Sequence, residues 1–304
     1  MKTILVTGGL GHIGSKLVES LLPTYNVIVV DNLLTQRYCS LFNTNHPLKF
    51  IDKCISEIKE EELYNVDIVI HLAAITNAAG SFTNKKQTEN INLDLTNEFI
   101  NKCEKAGCKF IFPSSTSVYG AAVDVVYEDN DTFLNPQSPY AETKIGIEER
   151  LKDYKSGYLI LRFGTIFGTS IGMRFHTAIN KFCYEASLNK PLTIWKENYN
   201  QYRRYLGLDD SINSILFFLE LETSWDETYN VLTGNYKLSS IVEYIKSKID
   251  IVINMVDTPL LNQFSYTVSN DKIKSLGFVP QDDLFNHINI TLRQLRNLNK
   301  NENN

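Results

Sequence analysis

The sequence predicts an α/β fold, a doubly wound parallel sheet followed by a smaller C-terminal α/β lobe. Three observations predict it. Short apolar runs alternate with helical patterns through the first half of the chain, the order that builds a parallel sheet with helices on both faces. The runs are nearly continuous in apolar residues, as strands buried on both sides require. The first run, Lys2 to Thr7, passes straight into Gly8-Gly9-Leu10-Gly11-His12-Ile13-Gly14 and then into a helical pattern. That strand–turn–helix context is the one in which glycines at this spacing bind a dinucleotide, which makes the predicted sheet Rossmann-type.

Taken in order, strands are expected at 3–7, 26–31, 48–51, 67–72, 108–113 and 157–163, with helices near 12–22, 57–63, 87–106 and 139–155. Without Cβ atoms, Gly8, Gly11 and Gly14 let the backbone turn sharply and approach a diphosphate closely. The following helix aims its free N–H groups and positive dipole end at the same place. The second strand ends in Asp31-Asn32. An acid at that point, about 20 residues beyond the glycines, hydrogen-bonds the adenosine ribose and repels a 2′-phosphate, which favours NAD over NADP. Arg37, close by in sequence, weighs the other way.

After residue 165 the pattern loosens. Helices near 174–188, 208–221, 238–247 and 282–297 mix with short strands at 193–195 and 228–231. The expected division is a dinucleotide-binding domain over 1–165 and a mainly substrate-binding lobe over 166–304, with some chain returning to the sheet. Ligands are then expected at the carboxyl ends of the strands, between the two. The polar tail from Asn297 to Asn304 is expected to fray.

Composition excludes several classes. The 304 residues are 43% hydrophobic and 21% charged with a net charge of −5, ordinary for a globular protein. No basic patch stands out, so nucleic acid is not expected as a partner. No stretch reaches membrane-spanning length, and the N-terminal apolar run is too short for a secretion signal. The five cysteines (Cys39, Cys54, Cys103, Cys108, Cys183) lack metal-ligand spacing. No metal is expected, and reduced thiols in a cytoplasmic protein are.

Two further stretches carry chemistry. Tyr140-Ala-Glu-Thr-Lys144 opens a helix and places a phenol and an ammonium on one face, one turn apart. A tyrosine pKa near 10 is too high for a base at neutral pH, and a nearby cation lowers it. Such a pair can take a proton from a substrate hydroxyl or return it. In the other stretch, the apolar run Lys109–Pro113 ends in the hydroxyl cluster Ser114-Ser115-Thr116-Ser117, followed by Val118-Tyr119-Gly120. At a strand's carboxyl end such hydroxyls can meet a reacting sugar oxygen, although Ser and Thr are also ordinary loop residues.

The glycine turn, Asp31-Asn32, His71-Leu-Ala-Ala74, the Ser115 cluster and Tyr140 to Lys144 occur in order over the first half of the chain. The chain resembles the extended short-chain dehydrogenase/reductases, in their NAD-dependent epimerase/dehydratase branch. Weaker likeness follows in Leu161–Gly168, Pro191–Ile194 and Arg203–Asp210. The stretch from Leu161 through Phe182 is similar to a subgroup found with surface-polysaccharide enzymes, including some acting on GDP-heptoses.

The resemblance implies NAD as cofactor and a nucleotide sugar as substrate. It implies that Gly8, Gly11, His12, Ile13 and Gly14 line the diphosphate and that Asp31 and Asn32 hold the adenosine ribose. Ile55, Leu72, Ala73, Ala74, Thr76 and Asn92 complete the cofactor site, together with Tyr140 and Lys144. Ser115, Tyr140 and Lys144 are the implied catalytic set. Thr116, Thr165, Arg174 and Arg203 are the implied substrate contacts, with Arg203 at the arginine that meets the substrate diphosphate. Many relatives dimerise by packing two helices per subunit, here 87–106 and 139–155, so a homodimer is expected.

Departures from the family sharpen the expectation. Its 4,6-dehydratases place Asp-Glu after the catalytic hydroxyl residue; here Thr116 and Ser117 stand there, which argues against eliminating water. Ser117 also replaces the cysteine of the reductase-epimerases, leaving His176 as an acid or a structural residue. Cys54 stands for an aspartate near the adenine, Thr165 for an asparagine, and Leu261–Phe264 for a loop with a second phosphate-binding arginine. The expected function is an NAD-dependent nucleotide-sugar epimerase that oxidises a ring hydroxyl at C4. A dehydrogenase/reductase releasing the keto-sugar uses the same residues and stays open, and a non-catalytic NAD-binding sensor is the further alternative.

Overall fold

The computed structural model describes residues 1–41, 46–120, 125–221, 223–257 and 265–297. The tail beyond 297 and Leu261–Phe264 lie outside them. The first half carries β1 (Thr3–Thr7), α1 (His12–Leu21), β2 (Asn26–Asp31), β3 (Lys49–Asp52), β4 (Ile68–His71), α2 (Lys85–Glu89), α3 (Leu95–Lys105), β5 (Lys109–Ser115), β6 (Val125–Val126), α4 (Pro139–Lys152) and β7 (Tyr158–Phe163). There follow β8 (Thr165–Phe167), α5 (Ala178–Ser187), β9 (Leu192–Trp195), β10 (Tyr202–Gly207), α6 (Leu208–Glu220), β11 (Glu227–Val231), β12 (Gly234–Lys237), α7 (Leu238–Lys248), β13 (Ile253–Val256), β14 (Thr267–Val268), α8 (Asp271–Ser275) and α9 (Leu284–Asn297).

Seven strands form one parallel sheet in the order β11-β7-β5-β4-β1-β2-β3. Side chains alternate across it. Ile4 and Val6 face a layer containing Leu17 and Leu21 of α1 and Ile215 and Phe218 of α6. Leu5 and Val69 face Phe99 and Ile100 of α3 and Ile147 and Leu151 of α4. The period-2 strand pattern thus feeds two separate cores. The chain reverses its direction of growth between β1 and β4, where Thr7 pairs with both Val30 and His71. A crevice opens outside the carboxyl ends of strands at such a switch point.

The later chain divides its loyalty. Strand β11 returns to the large sheet, and α6 packs on it. Strands β8, β10 and β12 form a smaller sheet, β9 pairs with β13, and α5, α7 and α9 share a third core around Phe167, Ile241 and Ile288.

Two expected helices differ. The 57–63 helix is a pair of 3-10 turns, Ile55–Glu57 and Glu60–Glu62. The carboxylates of Glu57 and Glu62 accept from the backbone N–H of Cys54 and Lys59, which closes each turn locally. The 87–106 helix contains a π segment, Asn90–Asp94, between α2 and α3. Extra turns of this kind frequently mark functional sites, and this one carries Asn92.

Candidate active site

A cleft of about 710 Å³ runs from the glycine turn to the smaller lobe. Gly8, Gly11, His12, Ile13 and Gly14 line it at the amino end of α1. Asp31 lies beside them because β2 ends there. Its carboxylate accepts from the N–H of Leu33 at 2.9 Å and of Leu10 at 3.2 Å, tying the strand end to the turn. Asn32, Ile55, Leu72, Ala73, Ala74 and Thr76 line the same wall. Gly14 has no room for a side chain: a Cβ there would lie 2.5 Å from the carbonyl oxygen of Gly8 and 2.7 Å from Cα of Gly9. Gly14→Val is therefore expected to distort the turn and reduce NAD affinity by more than about tenfold, as read by titration of the purified variant.

Ser115, Tyr140 and Lys144 line this cleft as well. Ser138 caps α4 by accepting from Ala141 N–H, and Pro139 starts the helix, which sets Tyr140 in the first turn and Lys144 one turn on. The ammonium of Lys144 donates to the carbonyl of Pro113 at 2.8 Å and lies 4.3 Å from the Phe112 ring centroid. It is 5.8 Å from the centroid of Tyr140. Burial lowers its pKa to about 8, with Glu148 opposing the shift.

Here the expectation of a phenol made acidic by its neighbour needs correction. Burial pushes Tyr140 up to about 12, and a hydrogen bond with Ser115 offsets only part of that. The ammonium is turned to Pro113, and burial outweighs the Ser115 hydrogen bond, so the phenol in this geometry is protonated at neutral pH.

Two expected contacts do not reach the cleft. Thr116 is buried outside the lining, and its carbonyl accepts from the hydroxyl of Tyr266 at 2.9 Å. The 3-10 turn Thr116–Tyr119, capped by Ser115 Oγ accepting from Ser117 N–H, brings Ser117 to the wall instead. Asn92 is likewise buried behind the wall. Its amide accepts from Ile75 N–H at 2.8 Å and donates to Ile75 O at 2.9 Å, so it braces the loop after β4.

Thr165, Arg174 and Arg203 do line the cleft. Burial and the adjacent Arg204 lower Arg203 to about 10. His176 also lines it, 3.4 Å from Thr76 Oγ1, and burial with the nearby arginines holds it near 4, hence neutral. Ser117, one of the hydroxyl cluster, reaches the wall, whereas Lys181 of α5 and Trp195 at the end of β9 reach it from the second lobe with no local motif to mark them in the sequence. Among the described residues the one cluster with metal-ligand geometry, Asp209, Asp282 and His287, stands outside the cleft lining.

A dinucleotide turn and a serine–tyrosine–lysine set on one cleft define an enzyme that works on a hydroxyl beside a nicotinamide cofactor. The chain belongs to the NAD-dependent epimerase/dehydratase family, whose pattern matches residues 4–231. It is 28% identical over 307 residues to the dTDP-D-glucose 4,6-dehydratase of Mus musculus, covering 92% of this chain and 84% of that one. It is 31% identical over 260 residues to the uncharacterized UDP-glucose epimerase YtcB of Bacillus subtilis (strain 168), covering 80% and 79%. The UDP-glucuronic acid 4-epimerase of Bacillus cereus, solved with UDP-glucuronic acid and NAD, superposes with a TM-score of 0.85 at 26% identity over 97% of this chain and 99% of that one. NAD is the cofactor, and no helix among the described residues is long and apolar enough to cross a membrane.

The cleft suits NAD on its own terms. Gly8, Gly11 and Gly14 line it with bare backbone at the amino end of α1, the Asp31 carboxylate stands beside them as an acceptor, and Nε2 of His12, an acceptor since the ring donates through Nδ1, is buried without a partner among the described residues.

Proposed function

We propose that this protein is a nucleotide-sugar epimerase that inverts C4 of the sugar ring by oxidation and re-reduction. The observation that carries the reading is the placement of Ser115, Tyr140 and Lys144 on the same cleft as the glycine turn. Residues 1–165 hold the cofactor, and the lobe formed by 166–304 holds most of the nucleotide sugar, with Arg203 of that lobe and Thr165 at its edge as contacts.

NAD, which Gly8, Gly11, Gly14 and Asp31 would hold, would supply the hydride acceptor and donor and a cationic ring that favours the Tyr140 phenolate. Tyr140, as phenolate, takes the proton of the C4 hydroxyl while the C4–H bond breaks, and returns that proton when the bond re-forms on the other face. The Ser115 hydroxyl, within hydrogen-bonding reach of the phenol, stabilises the oxygen in transit. Lys144, cationic at neutral pH, supports the phenolate by Coulomb attraction and positions the cofactor ribose.

The same cleft argues against dehydration, despite the dehydratase among the relatives. Among the described lining residues Asp31 is the sole acid, and it sits at the ribose end. Elimination needs an acid and a base at neighbouring carbons; Ser117, which reaches the wall, offers a hydroxyl only, and Thr116 does not reach it. We further place the enzyme in the cytoplasm, serving polysaccharide biosynthesis, as a homodimer joined through α3 and α4.

The test is to mix purified protein with UDP-, GDP-, CDP- and dTDP-sugars and follow both the near-ultraviolet absorbance of reduced nicotinamide and the ring configuration by NMR. Inversion at C4 without net accumulation of reduced cofactor supports the epimerase. Keto-sugar release with stoichiometric cofactor reduction would assign a dehydrogenase instead. Binding without either would leave a sensor.

A further inference from the structure

Between β8 and α5 the chain crosses from the smaller lobe over the glycine turn. Four hydrogen bonds fasten it there. Ser170 Oγ donates to His12 O at 2.8 Å. Because that hydroxyl proton is spent, the 2.9 Å contact between His12 Nδ1 and Ser170 Oγ is donated by the ring. Gly172 N–H donates to Ser15 Oγ at 3.2 Å, and Arg37 donates to Gly172 O at 2.8 Å. At Gly172 the strap presses on the turn itself, since a Cβ there would collide with the carbonyl of Gly11.

Two residues further on, Arg174 enters the cleft. Its guanidinium donates to Thr76 Oγ1 at 2.8 Å, and no carboxylate pairs with it among the described residues. We infer that Arg174 is a binding residue for the diphosphate of the dinucleotide cofactor, and that the strap 168–177 holds it over the glycine turn and so retains the cofactor.

Three observations support this assignment over a substrate contact. Arg174 follows two residues after Gly172, which packs on the Gly11 carbonyl and accepts from Arg37, whereas Arg203 stands on β10 of the smaller sheet. Burial first, and then the neighbouring His176, Arg37 and Arg174, hold His12 near 4, so the imidazole is neutral and the guanidiniums carry the local charge. Of the cationic side chains on the cleft wall, Lys53 and Lys181 pair with Glu62 and Glu185 and Arg37 lies near Asp31, whereas Arg174 has no carboxylate partner among the described residues. A guanidinium without a carboxylate partner, held beside a helix amino end, suits a diphosphate, which Arg binds with charge-assisted, fork-shaped geometry.

The inference rests on NAD being the cofactor, and its test is independent of turnover. NAD and a nucleotide-sugar panel are titrated separately into NAD-stripped wild type, Arg174→Gln and Ser170→Ala, and release of NAD is followed by fluorescence after dilution into competitor. Arg174→Gln is expected to weaken NAD binding about ten- to a hundredfold, the loss of one charge-assisted contact. Ser170→Ala, which keeps Arg174, is expected to speed NAD release severalfold, and Arg174→Lys to recover part of the affinity. Wild-type NAD affinity and release in Arg174→Gln, or loss of nucleotide-sugar binding with NAD binding intact, overturns the assignment. If thermal unfolding shows Arg174→Gln to be misfolded, the release rate of Ser170→Ala decides by itself, an unchanged rate refuting the strap. An enzyme that binds NAD in this way but inverts no sugar would leave the inference standing and remove the epimerase reading.

Discussion

Tyr140→Phe is expected to lower hydride transfer by about 10²–10⁴-fold, the range for loss of a positioned acid–base group, while NAD binding is retained. The reasoning is geometric and electrostatic. The phenol lines the cleft beside Ser115, and the ring of the substituted phenylalanine fills the same space without the oxygen that carries the proton. The cofactor site is otherwise unchanged, so titration with NAD separates a chemical defect from a binding defect. Stopped-flow absorbance of reduced nicotinamide after mixing with a turnover-competent nucleotide sugar reads the effect. Full-rate reduction in the variant would remove Tyr140 from the reaction.

The largest expected stability effect lies behind the same helix. Arg162 and Glu148 form an ion pair at 2.6 Å with both side chains 2% exposed. The carboxylate also accepts from Ser114, the neighbour of Ser115. The guanidinium reaches Tyr119 OH at 2.9 Å, and Tyr119 donates to Asn230 at 2.7 Å. The carboxylate holds the Arg162 pKa above its ordinary range despite burial. Glu148→Ala strands that charge, and removing one partner of a buried pair costs about 3–5 kcal/mol. Chemical denaturation should show a loss of that size. Replacing both partners by Leu and Met should restore much of it, because packed apolar groups often equal a buried pair. A loss below about 1 kcal/mol, the scale of an exposed pair, would mean that water reaches the pair.

The fold was legible where local pattern and tertiary role coincide. The central strands lie within a residue or two of the expected runs because each is buried on both faces, which writes a continuous apolar stretch into the chain. The glycine turn, Asp31 and the Tyr140–Lys144 pair are local devices whose spacing is their geometry. What stayed hidden is long-range. Nothing in the sequence near Ser170 or Gly172 announces His12 and Ser15, more than 150 residues away. The exchange of Thr116 for Ser117 in the wall depends on one 3-10 turn, and the π segment that turns Asn92 toward Ile75 has no composition signal. The direction of the Tyr140 shift was also beyond the sequence, since spacing fixes the distance of a cation along a helix but not the carbonyl of Pro113 that draws it aside.

The central claim is that one enzyme-held cofactor removes a hydride from C4 and returns it to the opposite face. The direct measurement is a single-turnover reaction of NAD-loaded protein with a C4-deuterated nucleotide sugar in ordinary water, read by mass spectrometry and NMR. The account predicts inverted product that retains the deuterium, with no isotope in solvent. Inverted product whose deuterium has been lost to water would contradict it, because the bond to C4 would then have been broken as a proton.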